Sequence, residues 1–320
     1  MASGGGTKAV IAALLANSGI AVTKFIAYLL TQSSSMLAEA VHSVADAGNQ
    51  VLLLVGGKRA KRQASETHQF GYGRTRYVYG FIVSIILFTL GGCFALYEAW
   101  HKFSEPHPIT SWHWVPVAVL VIAIVMESFS LRTAVVEANH VRGQTPLTTF
   151  VRRSRSPELP VILLEDIGAL LGLVLALFGV SMTLITGDGR WDAIGSASIG
   201  VLLVVIATFL AIEMNSMLLG ESALPEHQDS IEAAVPGEGI GSVIHMRTMH
   251  LGPDRVLVAA KVAVPQGADA AEVARAIDAA EVRIRKSVPL ELVIYLEPDL
   301  ARAHGVPRTL PTDGGSGAGG

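Results

Sequence analysis

The chain has 320 residues, of which 51% are hydrophobic and only 16% charged, against roughly 25% charged in an ordinary soluble domain. A formal net charge of −3 excludes a nucleic-acid partner held by overall positive charge. The single cysteine, Cys93, excludes an internal disulfide and a cysteine-built zinc cluster, which leaves His, Asp and Glu as candidate metal ligands.

The opening stretch Met1 to Lys8 carries one lysine ahead of a long apolar run and no evident processing site, so it is read as leading into a retained first span rather than a signal peptide. A bilayer core of about 30 Å needs about 20 helical residues, and six such runs follow in order. They are Ala9 to Leu30, Ser35 to Gly57, Tyr77 to Tyr97, Trp114 to Leu131, Leu159 to Ile185 and Ala193 to Ile212. The connections after spans two and four carry Lys58, Arg59, Lys61, Arg62, Arg74, Arg76, Arg142, Arg152, Arg153 and Arg155, ten basic residues against only Lys102 and Arg190 on the other side. That bias predicts cytoplasmic termini, in a multi-pass protein of the cell (inner) membrane.

From about Glu221 the pattern becomes that of a soluble unit. A short helix at Pro225 to Ala234 precedes strands at Val243 to His250 and Arg255 to Val264, separated by a Gly252-Pro253-Asp254 turn. Val273, Ile277, Ala280, Ile284 and Val288 recur at helical spacing, and Leu290 to Leu296 reads as a third strand. This α-β-β-α-β order defines a small α+β unit whose thin core gains from docking on a second copy. The division is a transmembrane domain over 1–220, a soluble domain over 221–300 and a disordered tail over 301–320, rich in Gly, Pro and Ser.

Charges inside the apolar runs carry the functional signal. Span one is broken only by Lys24, and span four carries Glu127. A carboxylate near the centre of a span costs about 2.5 to 3.5 kcal/mol on insertion scales, yet Glu39, His42 and Asp46 lie in span two and Glu165 and Asp166 in span five. His42 and Asp46 are four apart, which stacks them on one helix face at the spacing two ligands of one cation need. His and carboxylate together suit a borderline divalent ion such as Zn²⁺. Structural alternatives stand beside this. His42 could bond Asp46 simply to join helices, and Arg132 could pair with Glu165 or Asp166. Glu39 is read as an entrance residue.

The stretch Ser34 to Asp46, with Glu39-Ala40-Val41-His42 and Asp46, followed by His68-Gln69-Phe70-Gly71-Tyr72-Gly73-Arg74, closely resembles the cation diffusion facilitator family of divalent metal/proton antiporters. The resemblance implies a six-helix all-α membrane domain with a C-terminal cytoplasmic, dimerising, ferredoxin-like α+β domain. It also implies a transport site built from a pair of ligands on span two and another on span five. The first pair falls on His42 and Asp46, and the second ends on Asp166. The position four earlier is Ile162, which cannot bind metal, and Glu165 is the nearest substitute, although adjacent helical residues diverge by about 100°. The segment His140 to Pro160 resembles a family branch with an insertion there, and its Arg152, Arg153 and Arg155 are read as a solvated, lipid-facing patch. Where metal-binding relatives place His and Asp in the soluble domain, this chain has Ala260, Tyr295 and Glu297, and His245 and His250 are read as non-ligands. His68 and Glu66 could form a secondary metal site, with a turn-stabilising histidine as the default reading.

The expectation is therefore M²⁺/H⁺ antiport by a homodimer, with no enzyme activity. Protons and Zn²⁺, Co²⁺, Fe²⁺, Mn²⁺ or Cd²⁺ would alternate on His42, Asp46, Glu165 and Asp166, as the helix pair bearing them rocks against the other four. A membrane metalloenzyme lacks any supporting motif. A metal-sensing or scaffolding protein without transport is the rival that Ile162 keeps open.

Overall fold

A computed structural model describes residues 3–31, 34–105 and 114–300; the side chains of residues 3–9, 16, 27–28, 30–31 and 34–42 lie outside that description, as does the tail from 301. The helices are α1 (Ser3–Thr31), α2 (Ser34–Ala60), α3 (Thr75–Ile86), α4 (Phe94–Ser104), α5 (Trp114–Arg142), α6 (Leu147–Arg153), α7 (Glu158–Thr186), α8 (Arg190–Leu219), α9 (Pro225–Ala234) and α10 (Ala270–Ser287). The strands are β1 (Ser242–Gly252), β2 (Arg255–Val264) and β3 (Glu291–Leu300), in sheet order β1-β2-β3. The chain divides into two compact units, Met1–Ser222 with Met249–Arg255, and Ala223–Thr248 with Val256–Gly320.

Among the described residues, four helices are long and apolar enough to cross a bilayer: Thr75–Ser104, Trp114–Arg142, Glu158–Thr186 and Arg190–Leu219. The first contains a π-helical segment, Leu87–Cys93, between α3 and α4. It begins where Thr89 Oγ1 donates back to the Ile85 carbonyl, and such back-bonding competes with the regular helical ladder. Within α1 the apolar stretch Val10–Ile26 is shorter.

Heptad-like spacing sets the buried faces. On α1 the positions Val10, Ala13, Asn17, Ile20 and Lys24 are all buried, and on α5 so are Leu120, Ala123, Glu127, Ser130 and Ala134. Steps of three and four keep each series on one side of a helix. One apolar cluster joins Val10 and Ala13 of α1, Leu53 of α2, Ala134 and Ala138 of α5, and Leu159 to Leu163 of α7. A second joins Ile20, Leu120, Ala123, Leu173 and Val180. Along α5 and α7 the polar residues Glu127, Ser130, Glu165 and Asp166 lie between the two clusters, and along α1 Asn17 does, with Lys24 beyond Ile20.

The segment expected as an inserted loop is partly helical. α5 runs on to Arg142, and α6 is anchored by Phe150, which is buried in the first apolar cluster. Arg152 and Arg153 are exposed as expected, whereas Arg155 is not part of a solvated patch: its guanidinium pairs with Glu221 and donates to the Ser222 carbonyl. Helices α7 and α8 meet backbone to backbone at glycines. A Cβ on Gly179 would lie 2.9 Å from the Trp191 carbonyl oxygen, and one on Gly195 would lie 3.2 Å from that of Leu175. Close small-residue contacts are the usual source of helix association in lipid.

In the second unit, Val256, Val258, Ala260, Val262 and Val264 alternate along β2 and pack with Ala276, Ala280 and Ile284 of α10, Leu292 and Ile294 of β3, and Ile231 of α9. A capping box starts α10: Asp269 Oδ1 accepts from the Glu272 amide at 2.7 Å, and Glu272 Oε2 accepts from the Asp269 amide at 3.0 Å. Arg283 donates to the Ala234 and Val235 carbonyls and closes the end of α9.

Replacing Gly195 by Val forces the α7–α8 contact apart and lowers stability by about 1 to 3 kcal/mol, and Gly179→Val costs more because its obstacle is closer. Thermal unfolding of the detergent-solubilised protein measures both.

Candidate metal site in the membrane unit

The polar layer is assembled from four helices. α1 supplies Asn17 and Lys24, α2 supplies Ser43, Asp46, Asn49 and Gln50, α5 supplies Glu127 and Ser130, and α7 supplies Glu165 and Asp166; all are buried. The α2 residues follow steps of three and four, which puts them on one helix face.

Glu165 and Asp166 are adjacent but have different surroundings. Glu165 Oε1 accepts from Asn49 Nδ2 at 2.8 Å and its Oε2 from Gln50 Nε2 at 2.9 Å. Gln50 Oε1 in turn accepts from Asn17 Nδ2 at 3.3 Å. A neutral amide network thus satisfies both oxygens of Glu165 and ties α1, α2 and α7 together. These side chains link α2 to α7 beside the apolar cluster that Leu53 shares with α7. Asp166 is 0% exposed and accepts from Ser130 Oγ at 2.9 Å, while its Oδ1 has no hydrogen-bond partner among the described residues. A buried carboxylate oxygen left unpaired is costly and is the kind of atom a ligand satisfies. Arg132 is exposed, and Ser130 occupies the place expected for it beside Asp166.

Asp46 acts electrostatically on Asp166, Glu165 and Glu127, so the four acids share one region. Asp46, Glu127, Lys24, Asn17 and Ser43 line a cavity of about 40 Å³, bounded further along by Ile20, Gly172 and Leu173. That volume holds a few water-sized bodies. His42 lies on α2 one turn before Asp46, but its side chain, like that of Glu39, is outside the described residues. Among the described residues, no three His, Cys, Asp or Glu side chains converge closely enough to hold one ion. Ile162 is 0% exposed and belongs to the apolar cluster on the far side of Asp166 from the cavity residues Gly172 and Leu173.

Elsewhere the charges pair at helix ends. Lys102 bonds Asp192 at 2.9 Å and Glu98 at 3.2 Å, and Arg76 bonds Glu158 at 3.4 Å. His68 stacks on Tyr72 with ring centroids 4.5 Å apart, and its Nδ1 lies 3.0 Å from Thr67 Oγ1, as a turn-stabilising residue would. His245 is exposed, whereas His250 is buried with Nδ1 at 3.0 Å from the Gly252 carbonyl.

Sequence reasoning missed Asn17, Asn49, Gln50 and Ser130, and it noted Glu127 and Lys24 without weighing them as site residues. The signal was present in their spacing: Asn17 and Lys24 are seven apart, Asp46, Asn49 and Gln50 follow at three and four, and Glu127 and Ser130 are three apart.

An integral membrane protein with a buried acidic layer between its helices is the class that these observations define. Residues 10–219 match the cation efflux transmembrane domain family, and the chain belongs to the cation diffusion facilitator family. It is 32% identical over 259 residues to the mitochondrial proton-coupled zinc antiporter SLC30A9 of Mus musculus, covering 80% of this chain and 45% of that protein. It is 29% identical over 219 residues to metal tolerance protein C4 of Arabidopsis thaliana, covering 67% and 47%, respectively. Over 119 residues it is 30% identical to zinc transporter ZitB of Pectobacterium atrosepticum, covering 37% and 36%. The chain therefore spans less than half the length of these relatives.

Replacing Gln50 by Leu strands Glu165 Oε2 and Asn17 in the interior, and the expected loss is about 1 to 3 kcal/mol. The double change Gln50→Leu with Glu165→Leu removes the buried charge as well and recovers part of the melting temperature.

Proposed function

We propose that the protein exports a divalent metal cation, Zn²⁺ first among them, in exchange for protons by alternating access. Six spans carry the cycle, α1 and α2 being the two beyond the four apolar helices. The basic connections then face the cytoplasm, as do both termini, in the inner membrane. The C-terminal unit serves as a ferredoxin-like dimerisation domain.

The observation that carries this reading is the unpaired Asp166 Oδ1 in a layer shared with Asp46 and closed along the helices by apolar clusters. Asp46, Asp166 and His42 are the ligands. Glu165 joins them only by releasing one of its amide partners, Asn49 or Gln50. Ligands that must be deprotonated to bind metal exchange naturally with protons. Moving a divalent cation out of a negative interior costs about 4.6 kcal/mol per 100 mV, and each proton moving in recovers about 2.3 kcal/mol, so one or two protons per ion drive export. The zinc antiporter and zinc transporter among the relatives support the choice of ion.

Proteoliposomes with an imposed pH gradient test the proposal. Zinc flux should follow the gradient and fall to background in Asp46→Asn and in Asp166→Asn. Flux indifferent to the gradient rules out proton coupling, and full flux in both variants removes the assigned site. A scaffold that does not transport would show no flux in the unaltered protein.

A further inference from the structure

Lys24 is the charge that the transport reading leaves unused. It lies in the C-terminal third of α1, near the end of the apolar stretch Val10–Ile26, is only 4% exposed, and lines the same cavity as Asp46 and Glu127. Its charge acts directly on Glu127. Among the described residues, Asp46, Glu127, Glu165 and Asp166 are the buried acids of the layer and Lys24 is its buried base.

The helix register explains why it reaches them. α1 and α2 follow one another in sequence and pack together, and Asn17 bonds Gln50. Counting in opposite directions from that pair puts Lys24 level with Ser43, and Asp46 level with residue 21. Helical side chains lean toward the N-terminus of their own helix and cover the turn before them. The long stem of Lys24 therefore carries its ammonium back toward the depth of Asp46. A lysine stem can lie along apolar surface such as Ile20 while its head moves over several ångströms.

We propose that Lys24 is a tethered counter-cation of the acidic layer, held between Asp46 and Glu127 when the site is empty and displaced toward Glu127 when a divalent cation binds. The ammonium changes its position within the layer. It weakens metal binding by charge repulsion, and it returns to assist release. Glu127 is then a positioning residue that gives the displaced ammonium a partner. The inference rests on the transport-site reading above.

Zinc titration calorimetry on the full chain, with zinc flux in proteoliposomes alongside, tests it. Lys24→Met should tighten zinc binding by about tenfold, as expected from removing one nearby unit charge, and should slow turnover at saturating zinc. Lys24→Gln, which retains a hydrogen-bonding side chain if methionine folds poorly, should shift affinity in the same direction. Glu127→Gln should loosen binding by a similar factor, and the double variant with Lys24→Met should return toward the original affinity. Unchanged or weaker binding in a folded Lys24 variant overturns the proposal, as does unchanged affinity in Glu127→Gln. If the unaltered protein binds zinc and Asp46→Ala abolishes it while the Lys24 variants bind normally, this inference alone fails. If the unaltered protein binds none, the transport-site reading fails as well.

Discussion

The constraint on which the membrane unit depends is that charge inside lipid must be paired, hydrogen-bonded or functionally used. The chain meets it by segregation. Ion pairs such as Lys102 with Asp192 and Arg76 with Glu158 gather at the helix ends, and the buried acids Glu127, Glu165 and Asp166 lie along their helices between two apolar clusters. Each cluster draws on α1, α5 and α7, so the same helices that carry the acids also seal them. A buried polar layer of this kind is stable only while its members satisfy one another. Glu165 meets that condition fully and Asp166 only in part.

Segregation also separates two roles that sequence alone merges. Glu165 and Asp166 are neighbours in an apolar run, and both read as ligands. In the fold one faces the amides of α2 and the other the hydroxyl of α5, as the angular offset of successive helical residues requires. The burial of Ile162 among apolar side chains fits the same division, because that position belongs to the packing of α7 and not to its polar face.

Much of this was legible in the chain itself. The apolar runs follow from length and composition, and the boundaries of α9 and β2 coincide with the expected Pro225–Ala234 and Arg255–Val264. Helix α6 was hidden because seven residues between prolines give little periodic signal, and Phe150 shows its worth only when something buries it. The acids stood out because a charge in a span is costly. Asn17, Asn49, Gln50 and Ser130 did not, since a neutral amide or hydroxyl in a span can satisfy itself in many ways and its partner lies on another helix.

The amide bonds to Glu165 also set a distance. Because Asn49 and Gln50 of α2 both donate to Glu165 of α7, the reach of these side chains is a ruler between the two helices at that depth. Aspartate at position 165 would keep the charge but come up one methylene short of both amides. The length of this side chain, as much as its acidity, is what the fold specifies there.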